Sequence, residues 1–461
     1  MEYDKENSHN IYRWGSVEII SRKEVAMDNN GNSMDEKNNP YFDRMQDIGP
    51  SNPYETKNHS FRSGVLTGAS ICCIIFVVAF ALWSFFGGLS SPGSSSDIKG
   101  QLNYNAIESK VDLLEKYIGD YYLENTDSVE FQEGIYKGLV DSLKDPYSTY
   151  YTKQEYDELM ESTSGEYYGI GAYVNQDQKT GIITIVKPFE KGPAAKAGIL
   201  PNDVLYSVEG ELVTGKDLTE VVNSMKGERN TIVRLEVLRG GSTEPISVDV
   251  TRDKIEVPTI TYKMMEDQIG YIQVTEFDQV TASQFKKALE DLNGKGMKGL
   301  VIDLRNNPGG LLDVVVDMLD QMVGKGMLVY TKDKNGEGDE YKAKSGNTFD
   351  KPLALLINGY SASASEVFAG CIQDYGLGTL VGTTSFGKGI VQNIYRLADG
   401  SAVKLTVSKY YTPKGRNIHG TGIEPDVKVE LDKEAQSQLS LDEKLDNQLK
   451  KAVEVVKGKI K

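Results

Sequence analysis

The clearest apolar stretch of the chain is residues 65–89, which contain no charged side chain. A helix of about 20 apolar residues spans the hydrocarbon core of a membrane, so this stretch predicts a single transmembrane helix. A cleaved signal peptide is the alternative, but its apolar region and the polar region before it are usually shorter than those seen here. Lys57 and Arg62 precede the stretch, whereas residues 87–96 contain neither Lys nor Arg. The positive-inside rule therefore predicts a single-pass protein with a cytoplasmic N-terminus and the bulk of the chain outside the cytoplasm.

Neither flank of residues 65–89 shows a sustained hydrophobic period. Residues 1–64 are rich in Asn, Asp, Glu and Lys, a composition that predicts a largely disordered cytoplasmic segment. Residues 90–103 begin with a Gly- and Ser-rich run, which predicts a flexible linker. The folded part of the chain is therefore expected to begin near residue 104.

From residue 104 the spacing of apolar positions predicts helices first and short strands afterwards. Residues 107–122 and 132–143 have helical spacing, and the turn signal Asp145-Pro146 follows the second of them. After residue 165, apolar and polar positions alternate, which predicts a small β-rich module with one helix. Its predicted elements include strands at 181–186 and 232–238 and a helix at 217–225.

From residue 269 the pattern changes to strands that alternate with helices. Apolar runs at 269–274, 299–304 and 353–357 predict buried strands. This alternation predicts an α/β (α+β) core in which helices cover a mixed sheet. In such sheets the functional residues usually lie at the carboxyl ends of the strands.

Two helices of this core have recognisable features in the sequence. Residues 281–293 have helical apolar spacing, and Thr281 and Gln284 have the spacing of a capping box at its start. Residues 441–456 predict an amphipathic helix that closes the chain.

Composition and charge narrow the range of functions. The formal net charge is −16, whereas a nucleic-acid-binding surface needs clustered Lys and Arg, so no nucleic-acid partner is expected. The cysteines are Cys72, Cys73 and Cys371. The first two lie in the predicted membrane helix, so no disulfide with Cys371 is expected in a folded monomer, and no zinc-ligand spacing is present. We expect neither a metal nor another cofactor.

A cluster of serines follows the predicted strand at 353–357. Residues 361–366 read Ser-Ala-Ser-Ala-Ser-Glu and lead into a predicted helix at 367–375. A serine at a strand-to-helix turn can act as a nucleophile, because the N–H groups at a helix N-terminus stabilise negative charge that develops on an oxygen. The alternative is that these serines only cap the helix.

A serine nucleophile needs a base, and two candidates lie beyond the predicted membrane helix. His419 is the only histidine of that part of the sequence and lies in a polar turn. Lys388 lies between two glycines before a predicted strand at 390–397. Strand alternation places Lys388 and Gln392 on the same face of this strand. A buried lysine can lose its charge and act as a base, whereas a solvated loop lysine stays charged. The residues alone leave a Ser–Lys pair, a Ser–His arrangement and a solvated Lys388 open.

A third element is residues 303–311, Asp-Leu-Arg-Asn-Asn-Pro-Gly-Gly-Leu, which follow a predicted buried strand and lead into a helix. The paired glycines Gly309 and Gly310 could expose backbone N–H groups suited to an oxyanion. A plain strand–helix connection that needs glycine for packing is the alternative. Asp303 is expected to be structural, tied to an arginine or to the backbone.

Taken together, these motifs resemble the C-terminal processing peptidase family, also called tail-specific proteases. The shared motifs are DPYSTYY at 145–151, DLRNNPGGLL at 303–312, SASASE at 361–366, GKGIVQ at 387–392 and YYTPKGRNIHGTGIEPDV at 410–427. Their order and spacing fit the family from about residue 104 to residue 456. The resemblance therefore covers nearly all of the part predicted to lie outside the cytoplasm.

The resemblance implies a role for each candidate site residue. The implied roles are nucleophile for Ser363, general base for Lys388, support of that base for Gln392, and oxyanion-hole N–H donors for Gly309 and Ala364. The family places no catalytic histidine at His419, and the stretch 410–427 is expected to be structural.

The β-rich module, residues 163–254, resembles the PDZ domain embedded in these proteases. The residues that resemble its carboxylate-binding loop are Tyr168, Gly169, Ile170 and Gly171. Residues 192–199 resemble its usual helix and turn. Successive N–H groups at such a loop can hold a terminal carboxylate while the peptide adds as a strand to the sheet edge.

The implied fold is a Ser–Lys protease core of mixed sheet and covering helices, with an inserted PDZ domain and one N-terminal membrane helix. The expected domains are a cytoplasmic segment (1–64), a membrane anchor (65–89), a linker (90–103), a helical region (104–162), a PDZ domain (163–254), the protease core (255–430) and a C-terminal helical segment (431–461). The implied function is a membrane-anchored serine endopeptidase that recognises protein C-terminal tails and cleaves through an acyl-enzyme. Its expected partners are the membrane and substrates with free, unstructured C-termini, and a homodimer is compatible with the sequence.

Two other functions stay open at this stage. One is a membrane-tethered PDZ scaffold whose protease-like domain is catalytically silent. The other is a serine hydrolase in which His419, rather than Lys388, is the base of Ser363.

Overall fold

The computed structural model describes part of the chain. The described residues are 102–124, 126, 128–436 and 444–460. The membrane helix predicted at 65–89 and the disordered segment predicted at 1–64 lie outside them. In the described part of the chain, no helix combines the length and the apolar character that crossing a membrane requires.

The described residues divide into two compact units, one that ends at Ser128 and one that begins at Val129. The described helices are α1 (Tyr104–Tyr121), α2 (Ser128–Asp141), α3 (Lys153–Ser164), α4 (Pro193–Lys196), α5 (Leu218–Met225), α6 (Thr281–Gly294), α7 (Leu312–Asp320), α8 (Ala364–Tyr375), α9 (Lys433–Gln436) and α10 (Asn447–Lys457). The described strands are β1 (Thr149–Tyr151), β2 (Glu166–Gly169), β3 (Ala172–Gln176), β4 (Ile183–Pro188), β5 (Asp203–Val208), β6 (Glu211–Leu212), β7 (Ile232–Leu238), β8 (Ile246–Thr251), β9 (Asp253–Glu256), β10 (Ile260–Met264), β11 (Ile269–Val274), β12 (Gly299–Asp303), β13 (Gly326–Asp333), β14 (Glu340–Ala343), β15 (Leu353–Ile357), β16 (Thr379–Gly382), β17 (Ile390–Arg396), β18 (Ala402–Tyr411) and β19 (Val427–Lys428).

The larger core is built on a six-stranded sheet with the order β10-β11-β12-β15-β16-β19. β10 is antiparallel to β11, and the other neighbours are parallel. Side chains alternate across the sheet: Leu300 and Ile302 pack with helices α6, α7 and α8, whereas Val301 packs with α10. Because helices cover both faces, the central strands are continuous apolar runs.

The carboxyl ends of β12 and β15 lie side by side, because Asp303 pairs with Leu356 in a parallel register. β12 continues into the loop at 304–311, and β15 continues into the loop at 358–363 that precedes α8. The sheet therefore brings the glycine pair and the serine cluster to one edge, where the sequence predicted that functional residues would lie.

Two further sheets complete the folded part. β1, β13, β14, β17 and β18 form an antiparallel sheet that the sequence analysis did not predict. β3 to β8 form the sheet of the β-rich module, with its own core and with α5 packed on it. β2 pairs with β9, so the chain enters and leaves this module through one two-stranded ribbon.

The capping box predicted for α6 is wrong. The helix begins at Thr281 itself, and its N-cap residue is Val280. The Thr281 hydroxyl accepts a hydrogen bond from the Asp278 N–H (2.9 Å), and the Gln284 side chain accepts one from the Thr259 N–H (3.0 Å). Gln284 thus binds the backbone of the chain that leads into β10, whereas Thr281 binds the backbone of the loop before its own helix.

The closing helix is shorter than predicted. It starts at Asn447 rather than near 441, because Asp446 is its N-cap and accepts the Leu449 N–H (2.8 Å). Residues 437–443 lie outside the described residues. A side-chain oxygen at this position satisfies one of the N–H groups that a helix start leaves without a partner.

A buried ion cluster ties this helix to β12. The Arg305 guanidinium donates to the carboxylates of Asp303 (2.6 Å) and Asp446 (2.7 Å), and the side chains of all three residues are at most 8% exposed. The Tyr271 hydroxyl also donates to Asp303 (2.9 Å). Asp303 is thus structural, as the sequence predicted.

We expect Asp446→Ala to lower the free energy of unfolding by about 3 kcal/mol or more, because it leaves a buried guanidinium without one of its carboxylates. Thermal unfolding would measure the loss. Glu454→Ala on the same helix is the matched control, since its ion pair with Lys451 is exposed (69% for Glu454). Such a pair contributes about 0.5 kcal/mol or less. Equal effects of the two substitutions would contradict the structural role of the cluster.

Candidate active site

Ser363 lies in a strained turn between β15 and α8. It is the N-cap residue of α8, with φ +56° and ψ −117°, and it is 1% exposed. These angles are those of the first central position of a type II′ turn, a position that is usually occupied by glycine. The turn is fixed by Ser361, whose hydroxyl accepts the Asn358 N–H (2.9 Å) and donates to the Leu304 carbonyl (2.8 Å). The side chain of Ser363 is thereby held at the helix N-terminus.

The glycine turn after β12 packs directly on this serine. A Cβ atom on Gly309, whose φ is +114°, would lie 2.7 Å from Ser363 Cβ and 3.1 Å from the Ala364 nitrogen. No side chain fits at this position. The Gly309 N–H donates to Asn307 Oδ1 (2.8 Å), and Asn307 Nδ2 donates to the Val274 carbonyl (3.0 Å). Asn307 therefore fixes the turn that carries the predicted oxyanion donor.

The carboxylate of Glu366 joins the serine turn to the lysine loop. Its Oε2 accepts the N–H groups of Ser363 (2.9 Å) and Lys388 (2.8 Å). Its Oε1 accepts the Gly387 N–H (2.7 Å) and the Ser385 hydroxyl (2.5 Å). Burial raises the pKa of this carboxyl, against the hydrogen bonds that favour its charged form. One buried side chain thus binds the backbones of residues 363 and 388, and a backbone hydrogen bond from the Phe386 N–H to the Ser361 carbonyl (3.0 Å) joins the same two loops.

Tyr410 makes a second bridge between the same two segments. Its hydroxyl lies within hydrogen-bond distance of the carbonyl oxygens of Ser363 (3.1 Å) and Lys388. Lys388 is 8% exposed, so the solvated loop lysine is excluded. Gln392 is also buried, and its amide donates to the Thr406 hydroxyl (3.3 Å). The structure therefore links the backbones of Ser363 and Lys388 through Glu366 and Tyr410 and buries both residues.

His419 occupies a different position. Its side chain is exposed, whereas Ser363 is buried. Its backbone packs on the lysine loop, because a Cβ atom on Gly389 would lie 2.5 Å from the His419 nitrogen. The loop that contains His419 therefore shapes the surroundings of Lys388, as expected for a structural stretch.

Two charged groups lie near Lys388. Burial raises the pKa of Asp145, but hydrogen bonds from Ser148 and Thr406 and the charge of Lys388 outweigh it, so this pKa lies below its usual range. Burial, together with the charge of Lys388, lowers the pKa of Lys404 to about 8, whereas Asp145 acts in the opposite direction. Lys404 is thus an amine close to Lys388 whose charged form burial disfavours.

The predicted carboxylate-binding loop lies where β2 leads into β3. Tyr168 and Gly169 belong to β2 and pair with β9, and Tyr168 is exposed. Ile170 is buried, and its carbonyl accepts the Ala194 N–H (2.8 Å). Gly171 follows with φ +71°. The four predicted residues are therefore contiguous at one end of the edge strand β3.

A groove of about 320 Å³ runs between β3 and α5 beside this loop. Its apolar lining residues include Ile170, Ala172, Val174, Leu218 and Val222. Because β3 is an edge strand of its sheet, a peptide can add to it there. Shape and lining agree with a peptide-binding groove.

Sequence reasoning missed several residues of these sites. Glu366 is the last residue of the SASASE motif, but the motif alone predicts no role for its carboxylate. Tyr410 was assigned to a structural stretch, and Tyr167, which also lines the groove, precedes the predicted loop by one residue. Only spatial proximity reveals these roles. Within the described residues, no group of three or more His, Cys, Asp or Glu side chains could hold a metal ion.

We expect Ser363→Gly to be more stable than Ser363→Ala by about 1 kcal/mol, because glycine adopts the observed positive φ without strain. Both variants lack the hydroxyl, so thermal unfolding of the pair isolates the backbone. The matched control is Ser365, which lies in α8. There the glycine variant is expected to be the less stable one by about 0.5–1 kcal/mol, as is usual in helices. The same order at both positions would contradict strain at Ser363.

We expect Lys404→Met to raise the free energy of unfolding at pH 7 by about 1–3 kcal/mol. The folded protein lowers the pKa of Lys404 from 10.5 to about 8, so protonation of this amine stabilises the unfolded chain more than the folded one. The cost is complete below pH 8, shrinks between about pH 8 and 10.5, and vanishes above. The advantage of the variant should therefore be smaller at pH 9.5 than at pH 7, as measured by chemical denaturation. An advantage that does not change with pH would refute this explanation.

Comparisons with known proteins agree with this architecture. The profile described as "Peptidase family S41" matches residues 268–429, and the profile "PDZ domain" matches residues 185–239. The latter range lies within the β-rich module.

Curated relatives cover most of the chain. The carboxy-terminal processing protease CtpA of Bacillus subtilis is 39% identical over 366 residues, which are 78% of this chain and 76% of the relative. A probable CtpA-like serine protease of Staphylococcus aureus is 36% identical over 391 residues, 84% of this chain and 76% of the relative. Among solved structures, the photosystem II D1 C-terminal processing protease matches with a TM-score of 0.42 and 29% identity, over 72% of this chain and 89% of that one. The chain belongs to the carboxy-terminal processing proteases of peptidase family S41, serine proteases that here carry a PDZ domain.

Proposed function

We propose that the protein is a membrane-anchored serine endopeptidase that captures protein C-terminal tails and cleaves by a Ser363–Lys388 acyl-enzyme mechanism. The observation that carries the proposal is the double bridge between the two residues. Glu366 binds both backbone N–H groups and the Tyr410 hydroxyl lies at both carbonyls, so the serine and the lysine are fixed together away from solvent.

In the first step, neutral Lys388 accepts the proton of the Ser363 hydroxyl as its oxygen attacks the scissile carbonyl. Burial favours the neutral form of an amine, and Lys388 is buried. Gln392 supports the base from the start of β17, where its amide is held by Thr406. A proton delivered from the lysine to the leaving amine then completes the acyl-enzyme.

The N–H groups of Gly309 and Ala364 are proposed to hold the oxyanion. Ala364 is the first residue of α8, where helical N–H groups lack acceptors within the helix and the dipole favours negative charge. The Gly309 N–H donates to Asn307 in the structure, so the oxyanion would share or replace that acceptor. Water then attacks the acyl-enzyme with Lys388 again as base, and no cofactor is required.

The PDZ domain is proposed to hold the substrate tail. The terminal carboxylate would bind at Tyr168, Gly169, Ile170 and Gly171, and the preceding residues would add as a strand to β3. The apolar lining of the groove favours an apolar, unstructured tail. The anchor at 65–89 would hold the catalytic part on the extracytoplasmic side of a membrane.

The test is cleavage of a protein with an apolar, unstructured C-terminus by the full-length chain in mild detergent. Ser363→Ala and Lys388→Ala are each expected to lower kcat by about 1,000-fold or more, because each removes a partner of the nucleophilic step. His419→Ala is the control and should stay within about two-fold of the wild type, since its side chain is in solvent.

Other results would favour the two rival functions. If His419→Ala were inactive and Lys388→Ala active, the histidine would be identified as the base. An intact tail with every variant, with binding to the groove retained, would favour a silent PDZ scaffold.

A further inference from the structure

An aromatic ring faces the amine of Lys388. The Nζ atom lies 5.0 Å from the centroid of the Tyr147 ring. A cation within about 6 Å of a ring centroid is attracted by the negative face of the ring. Tyr147 belongs to the DPYSTYY motif, for which the sequence analysis found no role beyond the family resemblance.

A hydrogen-bonded turn fixes the ring in this position. Asp145 Oδ1 accepts the Tyr147 N–H (3.2 Å), and Oδ2 accepts the Ser148 hydroxyl (2.6 Å). Ser148 Oγ in turn accepts the N–H of Thr406 on β18 (3.1 Å), and the Thr406 hydroxyl accepts the Gln392 amide. Thr406 is thus hydrogen-bonded both to the turn that contains Tyr147 and to Gln392, the residue proposed to support Lys388.

We propose that Tyr147 is a positioning residue for Lys388, and that its ring face stabilises the ammonium that forms when the lysine takes the serine proton. The inference rests on the proposed function of Lys388 as the base. The ring fixes the amine on one side and excludes water there. Its attraction acts mainly on the charged form, so it is stronger after proton transfer than before it.

The charges around Lys388 explain why a ring suits this position. The charge of Lys404 repels the ammonium, and the charge of Asp145 attracts it. Glu366 lies close as well, but its carboxylate binds the Lys388 backbone N–H. A carboxylate in direct contact with the amine would keep it protonated and remove it as a base at neutral pH. The weaker attraction of a ring leaves the neutral amine accessible.

The experiment uses the full-length chain in mild detergent and a peptide substrate with an apolar C-terminus. Tyr147→Phe keeps the ring, whereas Tyr147→Leu keeps the bulk without it. We expect Tyr147→Phe within about two-fold of the wild type. Tyr147→Leu should lower kcat by about 5- to 30-fold, the range that a desolvated cation–π contact corresponds to, with KM within about two-fold.

The pH profile separates positioning from a merely structural role. Without the ring the charged lysine is less favoured, so the acidic limb of kcat/KM for Tyr147→Leu should move to lower pH by about half to one unit. Tyr151→Leu is the matched control, since the Tyr151 ring lies 5.3 Å from Nζ of Lys404, a lysine outside the proposed dyad. Tyr151→Leu should leave the acidic limb of kcat/KM in place and keep kcat within about three-fold of the wild type.

Three results would overturn the inference. The first is full activity of Tyr147→Leu, and the second is an equal loss of kcat in Tyr147→Phe and Tyr147→Leu. The third is a Tyr147→Leu variant whose Tm is lowered while the acidic limb of its kcat/KM profile stays in place. In each case an inactive Lys388→Ala would leave the proposed function standing, so only the role of Tyr147 would fail. An active Lys388→Ala would refute the proposed function itself, whatever Tyr147→Leu does.

Discussion

The carboxylate of Glu366 holds both halves of the active site. One half is the strained turn of Ser363 at the edge of the parallel sheet, and the other is the loop of Lys388 before β17 in the antiparallel sheet. In the described part of the chain the two halves share no strand pairing. A backbone hydrogen bond from the Phe386 N–H to the Ser361 carbonyl (3.0 Å) joins them beside the side-chain bridges. A buried carboxylate with four donors has little freedom to move, because each lost hydrogen bond would leave a buried polar group unsatisfied. Rigidity of this kind is what a preorganised nucleophile and base require.

The parallel sheet supplies the remaining constraint. β12 and β15 are adjacent and end together, so the glycine turn and the serine turn meet at one edge. The helices on both faces bury the strands, which makes this edge a stiff platform for Ser363 in its unfavourable backbone conformation. The ion cluster of Arg305 extends this support to the C-terminal helix. Stability of the sheet and geometry of the site are therefore linked.

The surroundings of Lys388 explain how a lysine could serve as a base. Burial disfavours its ammonium, the neighbouring Lys404 adds repulsion, and the face of Tyr147 returns a moderate attraction. The turn at 145–148 comes from a part of the chain far from the other catalytic motifs. The pairing of β1 with β18 and the hydrogen bond from the Thr406 N–H to the Ser148 hydroxyl hold it against β18.

Periodicity located several elements, including β7, β11 and β15, because apolar strands and amphipathic helices need only local sequence to be recognised. Motif order identified the protease family and the PDZ domain, which the comparisons confirm. The same resemblance predicts Ser363 as the nucleophile and Lys388 as its base. It could not find the bridges of Glu366 and Tyr410, the ring of Tyr147 beside Lys388 or the partners of Gln284. These contacts join residues that are distant in sequence, and the folded structure determines which backbone groups lie close enough to bind a given side chain. The sequence by itself determined the elements and the chemistry available. Only the tertiary structure decided which groups meet, because burial and hydrogen-bond geometry exist only once the chain has folded.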